Sequence, residues 1–164
     1  MKPRISSVLI VISAFLCACG NQKSTGNRGP SDSSGMHAGN AKAAIPFLQA
    51  KNYFVRNDYK DTALHLLKLD SREAFERVFG MATTMSPDGK PTPINFDTDY
   101  ALACISETSD KPIELQSVSL TSTHGNILLT CSRKEGPAQT FISRSALILI
   151  VDKHTQGAPV LQLR

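Results

Sequence analysis

The chain has 164 residues, with 18 basic and 14 acidic side chains that give a formal net charge of +4 and an aromatic content of only 6%. This length is ordinary for one domain with a short extension. Charges of both signs are mixed along the chain and form no positive stripe, so the sequence argues against a nucleic-acid-binding protein.

Residues 1–18 have the layout of a secretory signal peptide. Lys2 and Arg4 precede a short apolar segment from Ile5 to Leu16, and a basic start followed by such a segment is typical of export signals. A bilayer-spanning helix needs about 20 apolar residues, so this segment is too short for a permanent membrane span. We predict that residues 1–18 are removed, which lowers the net charge to +2 because Lys2 and Arg4 are lost.

A cysteine follows the predicted signal peptide. The order Leu16, Cys17, Ala18, Cys19 places a branched apolar residue three positions before the second cysteine and a small residue directly before it. This order resembles the lipobox of bacterial lipoproteins, which implies that Cys19 is acylated and becomes the first residue of the mature chain. The rival interpretation of a zinc site lacks paired ligand clusters, because the next cysteine is Cys104.

Residues 19–43 are predicted to form a flexible tether behind the acylated cysteine. The segment is rich in Gly, Ser and Asn and has no aromatic residue, so it cannot bury enough apolar surface to offset its chain entropy. Two or more acyl chains would hold Cys19 firmly in a membrane. No acidic run of the kind that exports some lipoproteins follows Cys19. We therefore expect a cell-envelope protein at the outer membrane facing the periplasm, with the cell surface as the alternative.

Residues 44–164 are predicted to form a single α+β domain with one helix, from Ser71 to about Ala82. Asp70 is the predicted N-cap, with Glu73 completing a capping box, and Gly80 weakens the last turn. The helix is indicated by apolar residues that recur at spacings of three and four, namely Ala74, Phe75, Val78, Phe79 and Ala82.

Strands are predicted on both sides of this helix. Before it lie Asn52–Arg56 and Ala63–Leu69, the second with a short helical segment as the alternative. A loop with Pro and Gly, Met85–Asp97, separates the helix from the later strands. These later strands are Tyr100–Ser106, Ile113–Thr121, Asn126–Arg133, Gln139–Ile142, Ala146–Asp152 and Val160–Leu163.

The short intervals between these strands predict antiparallel pairing, with a tight hairpin at residues 122–126, STHGN. Six consecutive apolar residues from Ala146 to Val151 predict a central strand that is covered on both faces. The expected fold is α+β, a mostly antiparallel, strongly bent sheet of six to eight strands with one packed helix.

The order of segments also resembles a known family. SREAFERVFG, a Pro/Gly loop, INFDTDYALACIS, IELQSVSL, GNILLTCS and SALILIVDK span about ninety residues and resemble the C-terminal domain of PrcB-type protease-complex subunits. Asn95-Phe96-Asp97 departs from the family's Asp-Phe order, and ETSDKPIEL stands where a Gly-Tyr segment is expected. The resemblance implies a small secreted or lipid-anchored domain that binds or stabilises a partner, such as a protease, without chemistry of its own.

Cys104 and Cys131 are the candidates for a disulfide. Both fall in predicted strands, and an oxidising compartment favours disulfides. A bond between residues 27 positions apart would stabilise the fold by about 3 kcal/mol. The alternative is that both are buried free thiols acting as small hydrophobic side chains, and the strand predicted between them would separate them in a simple meander.

The sequence has no motif that indicates catalysis. It lacks a Gly-x-Ser-x-Gly elbow and a Glu-x-x-His pair, and Asp97 and Asp99 are interpreted as turn residues because a calcium loop needs more carboxylates. We expect no catalytic residue, metal or cofactor.

The predicted function is a membrane-anchored, non-enzymatic binding module. Recognition of a protein or saccharide is expected through a sheet face or the loop Met85–Asp97. The alternatives are a structural or assembly subunit of an envelope complex and, least favoured, an envelope hydrolase.

Overall fold

A computed structural model describes residues 42–86 and 88–164. The predicted signal peptide, Cys19 and nearly all of the predicted tether lie outside these residues. None of the described helices has the length and apolar character needed to cross a membrane.

The described residues form one helix and ten strands. In chain order these are β1 (Ala43–Ala44), β2 (Leu48–Ala50), β3 (Tyr53–Val55), β4 (His65–Leu69), α1 (Arg72–Val78), β5 (Phe79–Met81), β6 (Asp99–Ile105), β7 (Ile113–Thr123), β8 (Asn126–Glu135), β9 (Ala146–Asp152) and β10 (Ala158–Leu163).

The strands form three sheets, so the prediction of a single bent sheet was wrong. The first sheet has the order β1-β7-β8-β10, the second β2-β9-β6-β4, and the third consists of β3 and β5. All pairs are antiparallel except β8 and β10, which are parallel. That exception arises because β9, which lies between β8 and β10 in the chain, belongs to the second sheet. The chain therefore re-enters the first sheet with β10 running in the same direction as β8. The mostly β composition with one helix is as predicted.

The second sheet is the middle layer and is covered on both faces. This confirms the prediction of a two-sided central strand at β9, because successive side chains of a strand point to opposite faces. The face toward the first sheet carries Tyr100, Leu102, Cys104, Leu147, Leu149 and Val151. The face toward α1 and the third sheet carries Ala101, Ala103, Ile105, Ile148 and Ile150.

Helix α1 begins at a different cap from the one predicted. The Ser71 hydroxyl accepts a hydrogen bond from the Ala74 amide at 3.1 Å. Ser71 is therefore the N-cap, and the predictions of Asp70 as the N-cap and of a capping box to Glu73 were wrong. A capping box needs a Glu or Gln three residues after the N-cap. Three residues after Ser71 stands Ala74, whose side chain cannot accept a hydrogen bond.

Helix α1 also ends earlier than predicted, at Val78. Phe79 has an extended backbone, with φ −118° and ψ 142°, and β5 pairs with β3 instead of continuing the helix. The helical spacing of Phe79 and Ala82 was therefore misleading, because pairing with another strand decided the conformation of this segment.

Most predicted strands are confirmed, including β4, for which a helical segment had been the alternative. Gln139–Ile142 was wrong, because this segment has no strand and its neighbour Ser143 makes only an isolated bridge to Ser109. Three short strands, β1, β2 and β5, were missed since two or three residues carry no readable period.

The predicted hairpin between β7 and β8 is confirmed. Its two-residue turn is His124-Gly125, and both residues have positive φ, 49° and 77°. This conformation matches the mirror-image turns that suit the twist of paired strands.

Candidate binding groove

Phe54 is an exposed aromatic residue on the outer face of the third sheet. Its side chain is 48% exposed, and its cross-strand partner is Gly80. A Cβ atom at position 80 would lie 2.4 Å from Cζ of the Phe54 ring, which is far too close. Glycine at position 80 therefore allows the ring to lie flat on the strand.

A groove of about 400 Å³ separates this part of the third sheet from the segment that precedes β9. Phe54 and Ile142, which is 70% exposed, line it together. Apolar walls with a few placed polar groups are typical of sites that recognise a ligand. The lining residues are Phe54, Val55, Arg56, Asn57, Tyr59, Thr62, Thr108, Ile142, Ser143 and Arg144.

Arg144 lines this groove and carries two buried hydrogen-bond donors without a partner in the described part of the chain. Its guanidinium carbon lies 5.5 Å from the centroid of the Tyr59 ring, and its Nη1 donates to the Tyr59 carbonyl at 3.4 Å. Its Nε and Nη2 have no hydrogen-bond partner among the described residues. These two N–H groups lie on one edge of the planar guanidinium, which matches the two oxygens of a carboxylate.

Arg56, the other arginine of the groove, already has a partner. Its Nε and Nη2 each donate to an Asp58 carboxylate oxygen at 3.0 Å. This hydrogen bond holds the pKa of Asp58 below its usual range. Because the pair satisfies both charges, Arg56 is neutralised at the rim of the groove. Nε and Nη2 of Arg144 are buried without a partner among residues 42–86 and 88–164, so they reach a ligand when the side chain turns outward.

Tyr59 connects the groove to His65 on β4. The His65 Nδ1 lies 2.7 Å from the Ala63 carbonyl, which can only accept, so a neutral ring carries its proton on Nδ1. Nε2 then accepts from the Tyr59 hydroxyl at 3.0 Å. Burial, and after it the Asp61 charge, raise the pKa of Tyr59. The phenol therefore stays protonated at neutral pH and serves as a donor.

A second cleft, of about 330 Å³, lies beside α1. Phe75 forms its aromatic floor, with ring centroids 4.9 Å from Phe79 and 5.6 Å from Phe96. Its polar groups are paired within the chain, since the Tyr53 hydroxyl donates to a backbone carbonyl at 2.7 Å. Arg72 and Glu76 likewise lie 3.8 Å apart on its rim. This cleft therefore offers an apolar surface but fewer unsatisfied polar groups than the groove.

The loop predicted to take part in recognition, Met85–Asp97, lines the second cleft and not the groove. Ile94 and Phe96 contribute to the cleft. The middle of the loop is held beside the start of β3, because the Asn52 side chain donates to the carbonyls of Asp88 and Lys90 at 2.6 and 2.9 Å.

The other residues singled out from the sequence do not meet in one site. Cys104 and Cys131 lie in the core with free thiols. Asp97 and Asp99 lie at the entrance to β6, where the Asp99 carboxylate accepts from the Thr98 hydroxyl at 3.0 Å. Within residues 42–86 and 88–164, no three side chains of metal-ligating type come together. Cys19 lies outside the described residues.

Sequence reasoning missed the main groove residues, Phe54, Ile142 and Arg144. The available signal was the pair Phe141-Ile142, which was interpreted as part of a strand. Both side chains are exposed, by 60% and 70%, and two adjacent exposed apolar residues beside an arginine indicate a contact surface.

No family model, curated protein or solved structure matches this chain. The resemblances of residues 16–19 to a lipobox and of the later segments to PrcB-type subunits stay predictions. What the domain does is therefore argued from the geometry of the groove.

Proposed function

We propose that the chain is a lipid-anchored lipoprotein of the cell envelope whose domain is a non-enzymatic module that binds a polypeptide partner. The observation that carries the proposal is the groove in which exposed Phe54 and Ile142 stand beside the unpaired Arg144 donors. Aromatic and arginine side chains contribute most of the binding energy at protein interfaces. A peptide carboxylate next to an apolar side chain satisfies both features, and a protease is one partner of this chemistry.

The state of the ionisable groups favours binding over catalysis. Arg56 is paired with Asp58, and Tyr59 is held in its protonated form. General acid–base catalysis at neutral pH needs a group that gains or loses a proton near that pH, and the described lining residues include no histidine, His65 lying behind Tyr59. The groove instead offers donors and apolar contacts, which suit recognition.

A permanent structural or assembly subunit is a second candidate, and β10 favours it. Among the described strands β10 pairs only with β8, so one of its edges has no strand partner. Val160 and Leu163 on this strand are each 41% exposed. An unpaired edge with apolar side chains is a surface to which another chain can add a strand.

Site-directed photo-crosslinking in the full chain tests the groove. A crosslinker at position 142 is expected to capture an envelope polypeptide, and Arg144→Gln is expected to weaken that capture. The loss of a charge-assisted bidentate contact corresponds to about tenfold or more in affinity. A crosslinker at position 118 is the matched control, since Val118 is 51% exposed on β7, in the first sheet.

Capture that is equal at positions 118 and 142, or that is unchanged by Arg144→Gln, would contradict the proposed groove. Capture that is strongest from position 160 on β10 would favour the assembly subunit instead. Circular dichroism of each variant checks that a loss of capture does not result from unfolding.

A further inference from the structure

Two cysteines from different sheets meet in the core. Cys104 lies on β6 of the second sheet and Cys131 on β8 of the first. Both residues are 0% exposed and belong to the same apolar cluster, and each thiol lies close enough to affect the pKa of the other. The Cys131 thiol donates to the Ser132 carbonyl at 3.4 Å.

The sequence had suggested that β7 separates the two cysteines. In the structure β7 pairs with β8 inside the first sheet, where Ser117 is the register partner of Cys131. The strand therefore lies beside Cys131 and leaves the space between the two sheets open to the thiols. Folding into two layers, which a simple meander lacks, brings the cysteines together.

Burial makes both thiols unreactive in the folded domain. It raises the pKa of Cys104 from 9.0 to about 12 and also raises the pKa of Cys131. The thiolate is the nucleophile in disulfide exchange, and an oxidant cannot reach a side chain with no exposed surface. Oxidation therefore has to take place before the first and second sheets close on each other.

We propose that Cys104 and Cys131 become joined by a disulfide while the exported chain folds. One thiolate attacks the disulfide of an external oxidant, which forms a mixed disulfide and releases one of the oxidant's sulfurs as a thiol, and the second thiolate then displaces the oxidant's other sulfur. The two cysteines lose two protons and two electrons, and the oxidant's disulfide is reduced to two thiols. The inference rests on the export part of the proposed function, because such oxidants act outside the cytoplasm.

The test uses the full chain with Cys17→Ser and Cys19→Ser, so that only Cys104 and Cys131 carry thiols. The reduced, denatured protein is refolded with oxidised glutathione, and the folded reduced protein is exposed to the same reagent for the same time. We expect refolding to yield a peptide pair linked through Cys104 and Cys131 in the mass spectrum of a digest. The folded sample is expected to resist oxidation, and the bond should raise the Tm by about 10 °C or more.

Cys104→Ala in the same background is the control, and its mass spectrum must lack the linked pair. Since this variant leaves a small cavity, reduction of the oxidised parent supplies a second comparison that changes no side chain. A refolded parent whose two thiols both react with maleimide after denaturation would overturn the disulfide.

The natural chain, alkylated at the moment of harvest, separates this inference from the proposed location. Free thiols on a chain that has lost its signal peptide would overturn the disulfide in the cell. Free thiols on a chain that retains Met1 would overturn the proposed export, while a bond formed on refolding would still support the geometry.

Discussion

Three arginines of the domain differ in whether the chain supplies their acceptors. Arg133 pairs with Glu107 and, at 2.8 Å, with Glu135, and Arg56 pairs with Asp58. Arg133 keeps one buried donor, Nε, without a partner among the described residues, whereas Arg144 keeps two, Nε and Nη2, and has no carboxylate partner there. A shielded donor without an acceptor costs about 1–3 kcal/mol, so a bound carboxylate would gain more at Arg144 than at the other two.

Among the tyrosines, Tyr100 has a hydroxyl without a hydrogen-bond partner in the described part of the chain, whereas Tyr53 has one. Its side chain is 0% exposed, and its hydroxyl has no hydrogen-bond partner among residues 42–86 and 88–164. The Lys68 ammonium lies 4.4 Å from the centroid of its ring. Burial raises the pKa of Tyr100 to about 12. The Tyr53 hydroxyl, by comparison, donates to the Thr92 carbonyl at 2.7 Å.

We expect Tyr100→Phe to leave the free energy of unfolding unchanged or to raise it by about 1 kcal/mol near neutral pH. The substitution removes a buried hydroxyl that makes no hydrogen bond. Tyr53→Phe is the control and should lower the free energy by about 1 kcal/mol, because a hydrogen bond is lost. Urea denaturation monitored by circular dichroism measures both, and equal destabilisation by the two variants would contradict the prediction.

The raised pKa of Tyr100 also predicts that the stability of the domain depends on pH at alkaline values. The folded pKa of Tyr100 lies above its ordinary value of 10.0, so above pH 10 the folded state binds more protons than the unfolded state. Stability is therefore complete below pH 10 and falls as the pH rises toward 12. Tyr100→Phe should lose less stability than the wild type between about pH 10 and pH 12, measured by urea denaturation.

At the scale of the elements, the segment from Ser71 to Met81 shows how local signals compete with pairing. The helix starts where a hydroxyl can cap it and stops where the chain can pair with β3. The apolar spacing that continues to Ala82 serves two structures, since Phe75 and Val78 bury one helix face while Phe79 is buried from a strand. Spacing alone does not distinguish these cases.

The cap gives a prediction at this scale. Ser71→Ala should lower the free energy of unfolding by about 1 kcal/mol, because the Ala74 amide loses its acceptor. Asp70→Ala should cost less than about 0.5 kcal/mol, since its exposed carboxylate lies 3.9 Å from Lys68 and pairs of this kind contribute little. Urea denaturation of the two variants compares them directly. A larger effect at Asp70 would restore the cap expected from the sequence.

At the scale of the whole molecule, the second sheet shares its two faces between two cores. Leu149 belongs to one core and Ile148 to the other, although they are neighbours on β9. The groove lies on the outer side of this arrangement, between the third sheet and the segment before β9. A rigid middle layer thereby fixes the two walls of the groove relative to each other.

The proposed anchor is tested at the same scale with the full chain expressed in a bacterium. Cys19→Ala should move the protein from the membrane pellet to the soluble fraction, because two or more acyl chains are needed for stable attachment. Cys17→Ala is the matched control and should leave the protein in the pellet, since Cys17 is predicted to be removed with the signal peptide. A Cys19→Ala protein that stays in the pellet, or a native protein that still begins with Met1, would contradict the anchor.

The sequence by itself determined the strands that carry a clear period, the turn at His124-Gly125 and the two-sided burial of β9. These features depend on neighbours along the chain, because side-chain alternation and positive φ are local properties. The prediction of an acylated Cys19 also comes from the sequence alone.

Only the tertiary structure decided the division into three sheets, the parallel pairing of β10, the end of α1 at Val78 and the meeting of Cys104 with Cys131. It also decided the groove, since Phe54, Ile142 and Arg144 are brought together from segments about ninety positions apart. Such contacts depend on which strands share a sheet, and the alternation within a strand does not specify its partner.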